Sequence, residues 1–215
     1  MVGNPPPGRS SAQTSVSTRE SRVRRRPARV TRPARRRPGV LLDRDGTIIV
    51  DHGYVGSVDR VELIDGAAGA IARFNQASIP VAVVTNQAGV ARGYYGIGDV
   101  QRVHEHIADR LEEHDAHVDL FLFCPYHPEG TVAQWARSSR DRKPSPGMAL
   151  AAAEALNLDL TASWVVGDRP EDIGLAEAIG ASAVYVGPGP CPHPGVASFP
   201  SLQLAADFIL NRIAA

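Results

Sequence analysis

Apolar runs without polar alternation, each followed by a helical pattern, limit this chain's fold more than any other feature. Strands are expected at Val40–Asp43, Ile79–Asn86, Val118–Phe123, Ser163–Asp168 and Ala183–Gly187. Helical spacing marks Asp65–Ala77, Ile97–Asp115, Pro146–Leu156, Pro170–Ile179 and Ser201–Ile213. Runs such as "VAVVTN" and "WVVGD" suit strands covered on both faces. The repetition of strand and helix therefore predicts an α/β protein, a three-layer Rossmann-like parallel sheet with helices on both faces. The segment from Cys124 to Pro144 and "GPGPCPHPG" at 187–195 are the long irregular connections.

The 215 residues, 43% of them hydrophobic, suffice for one sizeable core. Charge is unevenly spread. Residues 1–38 hold eleven arginines against one acid, Glu20, giving that segment +10 and, with zero net charge overall, the rest −10. The segment lacks a continuous apolar run, which argues against a secretory signal or membrane span. It reads as a disordered Arg/Pro-rich extension, with residues 39–215 as the folded domain. A nucleic-acid-binding tail is the second reading, because no aromatic residue sits among the arginines to stack on bases. Two cysteines, Cys124 and Cys191, do not make a disulfide framework and fit a reducing cytoplasm.

In open α/β sheets, ligands gather beyond the carboxyl ends of the strands. Polar residues fall there: Asp43 ends the first strand, Thr85 and Asn86 the second, Gly167 and Asp168 the fourth. Lys143, the sole lysine against 22 arginines, enters the helix near Pro146. Asp43, Asp45 and Asp168 would repel one another unless a hard cation neutralised them, and magnesium suits carboxylates together with a phosphate oxygen. Asp43 is then the candidate nucleophile, forming an aspartyl-phosphate. Asp45 would protonate the leaving oxygen and later deprotonate water. Lys143 and the Thr85 hydroxyl would hold phosphoryl oxygens. Gly46 lets the chain turn away, and Asp172 is expected to orient the Asp168 loop.

Alone, each signal is weak. The ordered set "DRDGT", "VVTNQ", "RKP" and "GDRPED" is specific, and it resembles the haloacid dehalogenase superfamily of phosphatases over about Val40 to Leu210. Within that superfamily, "DRDGTIIVDHGYV", "VVTNQAGVARG", "CPYHPEG" and "RKPSPGM" resemble the group that acts on D-glycero-D-manno-heptose 1,7-bisphosphate at its 7-phosphate. The histidinol-phosphate phosphatases fit "DHGYV" and "NQAGVARG" less well and supply the alternative substrate. The resemblance implies a magnesium-dependent phosphomonoesterase, with metal on Asp43, the Asp45 backbone carbonyl and Asp168. It implies substrate contacts from Asp51, His52, Gly53 and Tyr54, from Thr85, Asn86, Gln87 and Ala88, and from Arg142 and Lys143. Only 42 residues separate Asp43 from Thr85, so no large cap domain is expected.

The resemblance also implies a structural zinc on Cys-x-His and Cys-x-Cys, but this chain keeps only Cys124, with Tyr126, Ser139 and Asp141 at the other places. One thiolate does not make a tetrahedral site, so zinc is expected to be absent. His127 beside Cys124 is a weaker metal pair. His104 and His106 do not share a helix face, His114 and His117 read as solvated, "CPHP" at 191–194 reads as a turn, and Trp135 and Trp164 read as packing residues. A phosphoaspartate receiver is the alternative of another class, although a proton shuttle two residues after the phosphorylated Asp is foreign to it. A monomer acting on a small phosphorylated sugar, with no membrane partner, is the expected state.

Overall fold

The structure is a computed structural model that describes residues 35–189 and 191–213. Residues 1–34, most of the arginine-rich extension, lie outside the described residues. Arg37 bridges Leu158: its N–H donates to Asn157 O, and its carbonyl accepts from Asp159 N–H.

Six strands, β1 (Val40–Leu42), β2 (Val81–Asn86), β3 (Leu120–Cys124), β4 (Trp164–Gly167), β5 (Ser182–Val186) and β6 (Ala197–Phe199), form one parallel sheet in the order β3-β2-β1-β4-β5-β6. Among the described residues five helices accompany them: α1 (Ala67–Gln76), α2 (Ile97–Glu112), α3 (Gly147–Leu156), α4 (Pro170–Ile179) and α5 (Leu202–Ile213). The fold is the expected Rossmann-like three-layer α/β arrangement. No described helix is long and apolar enough to cross a membrane.

The missing alternation in the strands has a direct cause. Val40, Leu42, Val81, Val83 and Val166 pack with α1, α2 and α5, while Leu41, Ala82, Val84 and Val165 pack with α3 and α4. Because both faces are covered, each residue of β1 is fully buried. The alanines of α3, with Ala149, Ala152 and Ala153 buried, form the small-residue face against its sheet side. α4 begins with Pro170 at its start and Asp172 accepting the Arg169 N–H, and Gly180 in the left-handed conformation ends it.

Two expectations are adjusted. β6 follows the irregular connection at 187–195 and was not among the expected strands; its three residues carry no apolar run, and their pairing to β5 makes them a strand. α2 stops at Glu112 rather than Asp115, which takes positive φ. Between β1 and α1 lie only a short 3₁₀ turn, Val58–Arg60, and isolated bridges of Ile49 to Asp45 and Leu63. No cap domain is inserted there. The strand order reverses beside β1, so the crevice between the ends of β1 and β4 is where a ligand is expected.

Candidate active site

Asp43 leaves β1 and Asp168 leaves β4, on the two sides of that crevice. Lys143 reaches it from the loop before α3, with Nζ 2.9 Å from Asp43 Oδ1 and 2.6 Å from Asp172 Oδ1. It is 2% exposed, and Asp172 is 1% exposed. Burial opposes the charge on Lys143, but Asp43 and Asp172 outweigh it and raise its pKa. Asp43 Oδ1 also accepts the Arg44 N–H at 2.7 Å. Both donors thus fall on one oxygen of Asp43.

Oxygens of Asp43, Asp168 and Asp172 lie within 4.8 Å of one another. Lys143 supplies one charge against three carboxylates, and Arg169 Nε stands 3.3 Å from Asp168 Oδ2. Asp168 Oδ1 is buried without a hydrogen-bond partner. Burial, with Asp43 adding, pushes the Asp168 pKa up to about 6. An orphaned carboxylate oxygen beside a second acid fits a hard divalent cation. The expected carboxylate set of Asp43, Asp45 and Asp168 differs from this one. Asp45 turns its carboxylate to Arg44, so only its backbone carbonyl is left for a metal, while Asp172 joins the acidic group. Both Asp172 oxygens are occupied, Oδ1 by Lys143 and Oδ2 by the Arg169 N–H at 3.0 Å.

Asp45 sits in a buried network. Arg44, fully buried, donates from Nε to Asp45 Oδ2 at 3.1 Å and from Nη2 to Oδ1 at 2.9 Å. Nη2 also lies 2.9 Å from Val55 O and 3.0 Å from Gln87 Oε1, so its two hydrogens are shared among three acceptors. Gln87 Nε2 donates to Asp45 Oδ2 at 2.8 Å and to Thr85 Oγ1 at 2.9 Å, and Tyr95 OH donates to Gln87 Oε1 at 2.8 Å. Arginine has only donors and a carboxylate accepts, so these neighbours fix the Gln87 amide in one orientation. Because Thr85 Oγ1 accepts from Gln87, its own O–H proton is left to donate into the cleft. Burial raises the Asp45 pKa while Arg44 opposes the rise.

These groups border a cleft of about 550 Å³. Of the residues expected at the site, Asp43, Asp45, Asp51, Gly53, Tyr54, Thr85, Asn86, Gln87, Ala88, Arg142 and Lys143 line it. Asp168 lies in the acidic group but not in the lining. His52 does not line it either; its Nε2 pairs with Glu62 Oε2 at 3.1 Å on the surface. Arg60 braces this loop through the carbonyls of His52, Gly53 and Tyr54, and Arg169 Nη2 binds Asp51 Oδ2 at 2.7 Å. Asn86 and Gln87, expected at the substrate, spend their amides on protein partners. Tyr95, Arg169 and the buried guanidinium of Arg44 were not anticipated. The one signal for Arg44 was its place between the two acids.

Comparison with known proteins identifies the family. The HAD-hydrolase-like family matches residues 141–214. The chain is 38% identical over 177 residues to D-glycero-β-D-manno-heptose-1,7-bisphosphate 7-phosphatase of Escherichia coli O6:H1, covering 82% of this chain and 90% of the relative. The enzyme of the same name from Rhodopseudomonas palustris is 41% identical over 151 residues, covering 70% and 84%. The crystal structure of D,D-heptose 1,7-bisphosphate phosphatase from B. bronchiseptica, complexed with magnesium and phosphate, superposes with a TM-score of 0.71 at 28% identity, covering 81% and 99%. The chain belongs to the haloacid dehalogenase superfamily and is one of its phosphatases.

Proposed function

We propose that this phosphatase removes the 7-phosphate of D-glycero-β-D-manno-heptose 1,7-bisphosphate through an aspartyl-phosphate on Asp43. The observation that carries the reading is the Lys143 ammonium, 2.9 Å from Asp43 and 2.6 Å from Asp172, in the cleft that Asp45 also lines. The choice of sugar is supported by the names of the relatives that share most of their length with this chain.

Asp43 Oδ1 is held by two donors, so Oδ2 attacks phosphorus. The new P–O bond forms as the bond to the sugar oxygen breaks, and Asp45 delivers a proton to that oxygen. The sugar 1-phosphate leaves. Asp45 then takes a proton from water, the water oxygen bonds to phosphorus, and the Asp43 carboxylate is expelled with release of inorganic phosphate. Lys143 Nζ and the Thr85 hydroxyl donate to phosphoryl oxygens whose charge changes along the way. A magnesium ion held by Asp43, the Asp45 carbonyl and Asp168 would screen the repulsion between carboxylate and phosphate.

Structural zinc has no place in this reading. Burial raises the pKa of the Cys124 thiol, disfavouring the thiolate a metal needs. Tyr126 is occupied by Trp135, with ring centroids 5.2 Å apart, and by Arg137 at 4.4 Å over its ring. Cys124 and Cys191 are both free thiols, consistent with a cytoplasmic enzyme, which we take to act as a monomer on a small phosphorylated sugar.

The test is phosphate release by the full chain with magnesium from both heptose 1,7-bisphosphate anomers and from histidinol phosphate. The highest kcat/KM is expected for a heptose anomer. Preference for histidinol phosphate would overturn the substrate assignment.

A further inference from the structure

We infer that Arg44 is a positioning residue for Asp45: its guanidinium, with the Gln87 amide, fixes the carboxyl so that a single lone pair on Oδ1 faces the leaving oxygen. This rests on the proposed role of Asp45 as proton donor. A carboxylate offers about four lone-pair sites. Oδ2 receives both Arg44 Nε and Gln87 Nε2, at 3.1 and 2.8 Å, and Oδ1 receives Arg44 Nη2 at 2.9 Å. Three sites are filled, and the one that remains is on Oδ1.

The clamp is itself held. Arg44 Nη2 is anchored to Val55 O, eleven residues away, and to Gln87 Oε1, whose other donor is the Tyr95 hydroxyl. The planar guanidinium fork binds both Asp45 oxygens at once, which an ammonium group cannot do. A full positive charge buried beside an acid, at the tip of a strand, is costly unless paired; Nε and Nη2 of Arg44 are paired, and Nη1 is buried without a partner. Here the pairing also sets the direction in which a proton leaves, and small misplacement of a reacting group is expensive in rate.

Leaving-group dependence separates positioning from general structural support. A sugar alkoxide needs a proton as it departs, whereas p-nitrophenolate does not. kcat/KM reports the first phosphoryl transfer for both heptose 1,7-bisphosphate and p-nitrophenyl phosphate. Arg44→Lys is expected to lower kcat/KM about 100-fold for the sugar and less than about threefold for the aryl ester, within the range of general-acid contributions. Equal losses on both substrates, or no loss, would overturn the inference. Asp45→Asn is the control: an equal loss on both substrates there would instead overturn the proton-donor reading. Should Arg44→Lys fail to fold, as judged by circular dichroism, Gln87→Met removes one donor to Oδ2 and one acceptor of Arg44 Nη2, and leaves the Arg44 bonds to Asp45 and Val55 O. A sugar-selective loss in that variant supports the clamp, and an equal loss or none overturns it.

Discussion

Asn86, the last residue of β2, holds the Lys143 backbone at two points: its Nδ2 donates to Lys143 O at 3.1 Å, and its Oδ1 accepts Lys143 N–H at 3.0 Å. The only lysine of the chain is thus placed by the end of a central strand 57 residues earlier in sequence. Asn86→Ala strands both partly buried groups and should cost about 1–3 kcal/mol of stability. Phosphate release should fall with it. Asn86→Asp keeps the acceptor and loses the donor, so its urea midpoint should lie between alanine variant and parent.

Lys143→Met leaves Asp43 and Asp172 without their shared cation. Breaking a buried ion pair from one side costs about 3–5 kcal/mol, so the variant should melt well below the parent and release no phosphate. Lys143→Arg should not restore turnover, because a planar fork does not fill the place of a compact ammonium 2% exposed between two acids. Normal turnover in the arginine variant would contradict the point-charge role.

Gly46 bears on the metal. It adopts φ of 83°, and a methyl group added there would overlap the Asp168 carboxylate. Gly46→Ala therefore combines backbone strain with displacement of a proposed ligand. Displaced supporting groups typically cost about 10–100-fold in metal affinity. Calorimetric titration of magnesium should show a loss of that order, with the concentration for half-maximal activity rising in parallel. Unchanged binding would remove Asp168 from the ligand set.

His104 gives the fold an acid-side weakness. It lies in α2, its ring 4.9 Å from Phe121 and 5.7 Å from Phe123, with Nε2 buried and unpartnered. Burial, and secondarily the Arg44 charge, lowers its pKa from 6.5 to about 3. The unfolded chain therefore takes up a proton below 6.5 that the folded chain refuses. This contribution is intact above pH 6.5 and is lost as pH falls towards 3. Denaturation midpoints of His104→Leu should decline less than those of the parent across that window. Parallel decline would contradict the assignment.

The strands were legible because two-sided burial writes itself into composition: Val40–Leu42 cannot be mistaken for an exposed segment. β6 was not, since Ala197–Phe199 owes its conformation to β5 rather than to its own residues. At the site, the acids were legible by position at strand ends. The direction of the amides was not, because Asn86 and Gln87 read the same whether they face a ligand or Lys143 and Asp45. Arg44 defied the usual surface preference of arginine, and its partners Val55 and Gln87 are neighbours only in the fold.

Asp43 is the residue proposed to carry the phosphoryl group. This role is tested most directly by incubating Asp45→Asn protein with heptose 1,7-bisphosphate and magnesium, quenching in acid, and mapping the phosphorylated peptide by mass spectrometry. The phosphoryl group is expected on Asp43, and none on the chain when Asp43→Asn is tested in the same way. Phosphate release by Asp43→Asn at the parental rate, or a label on another residue, would contradict it.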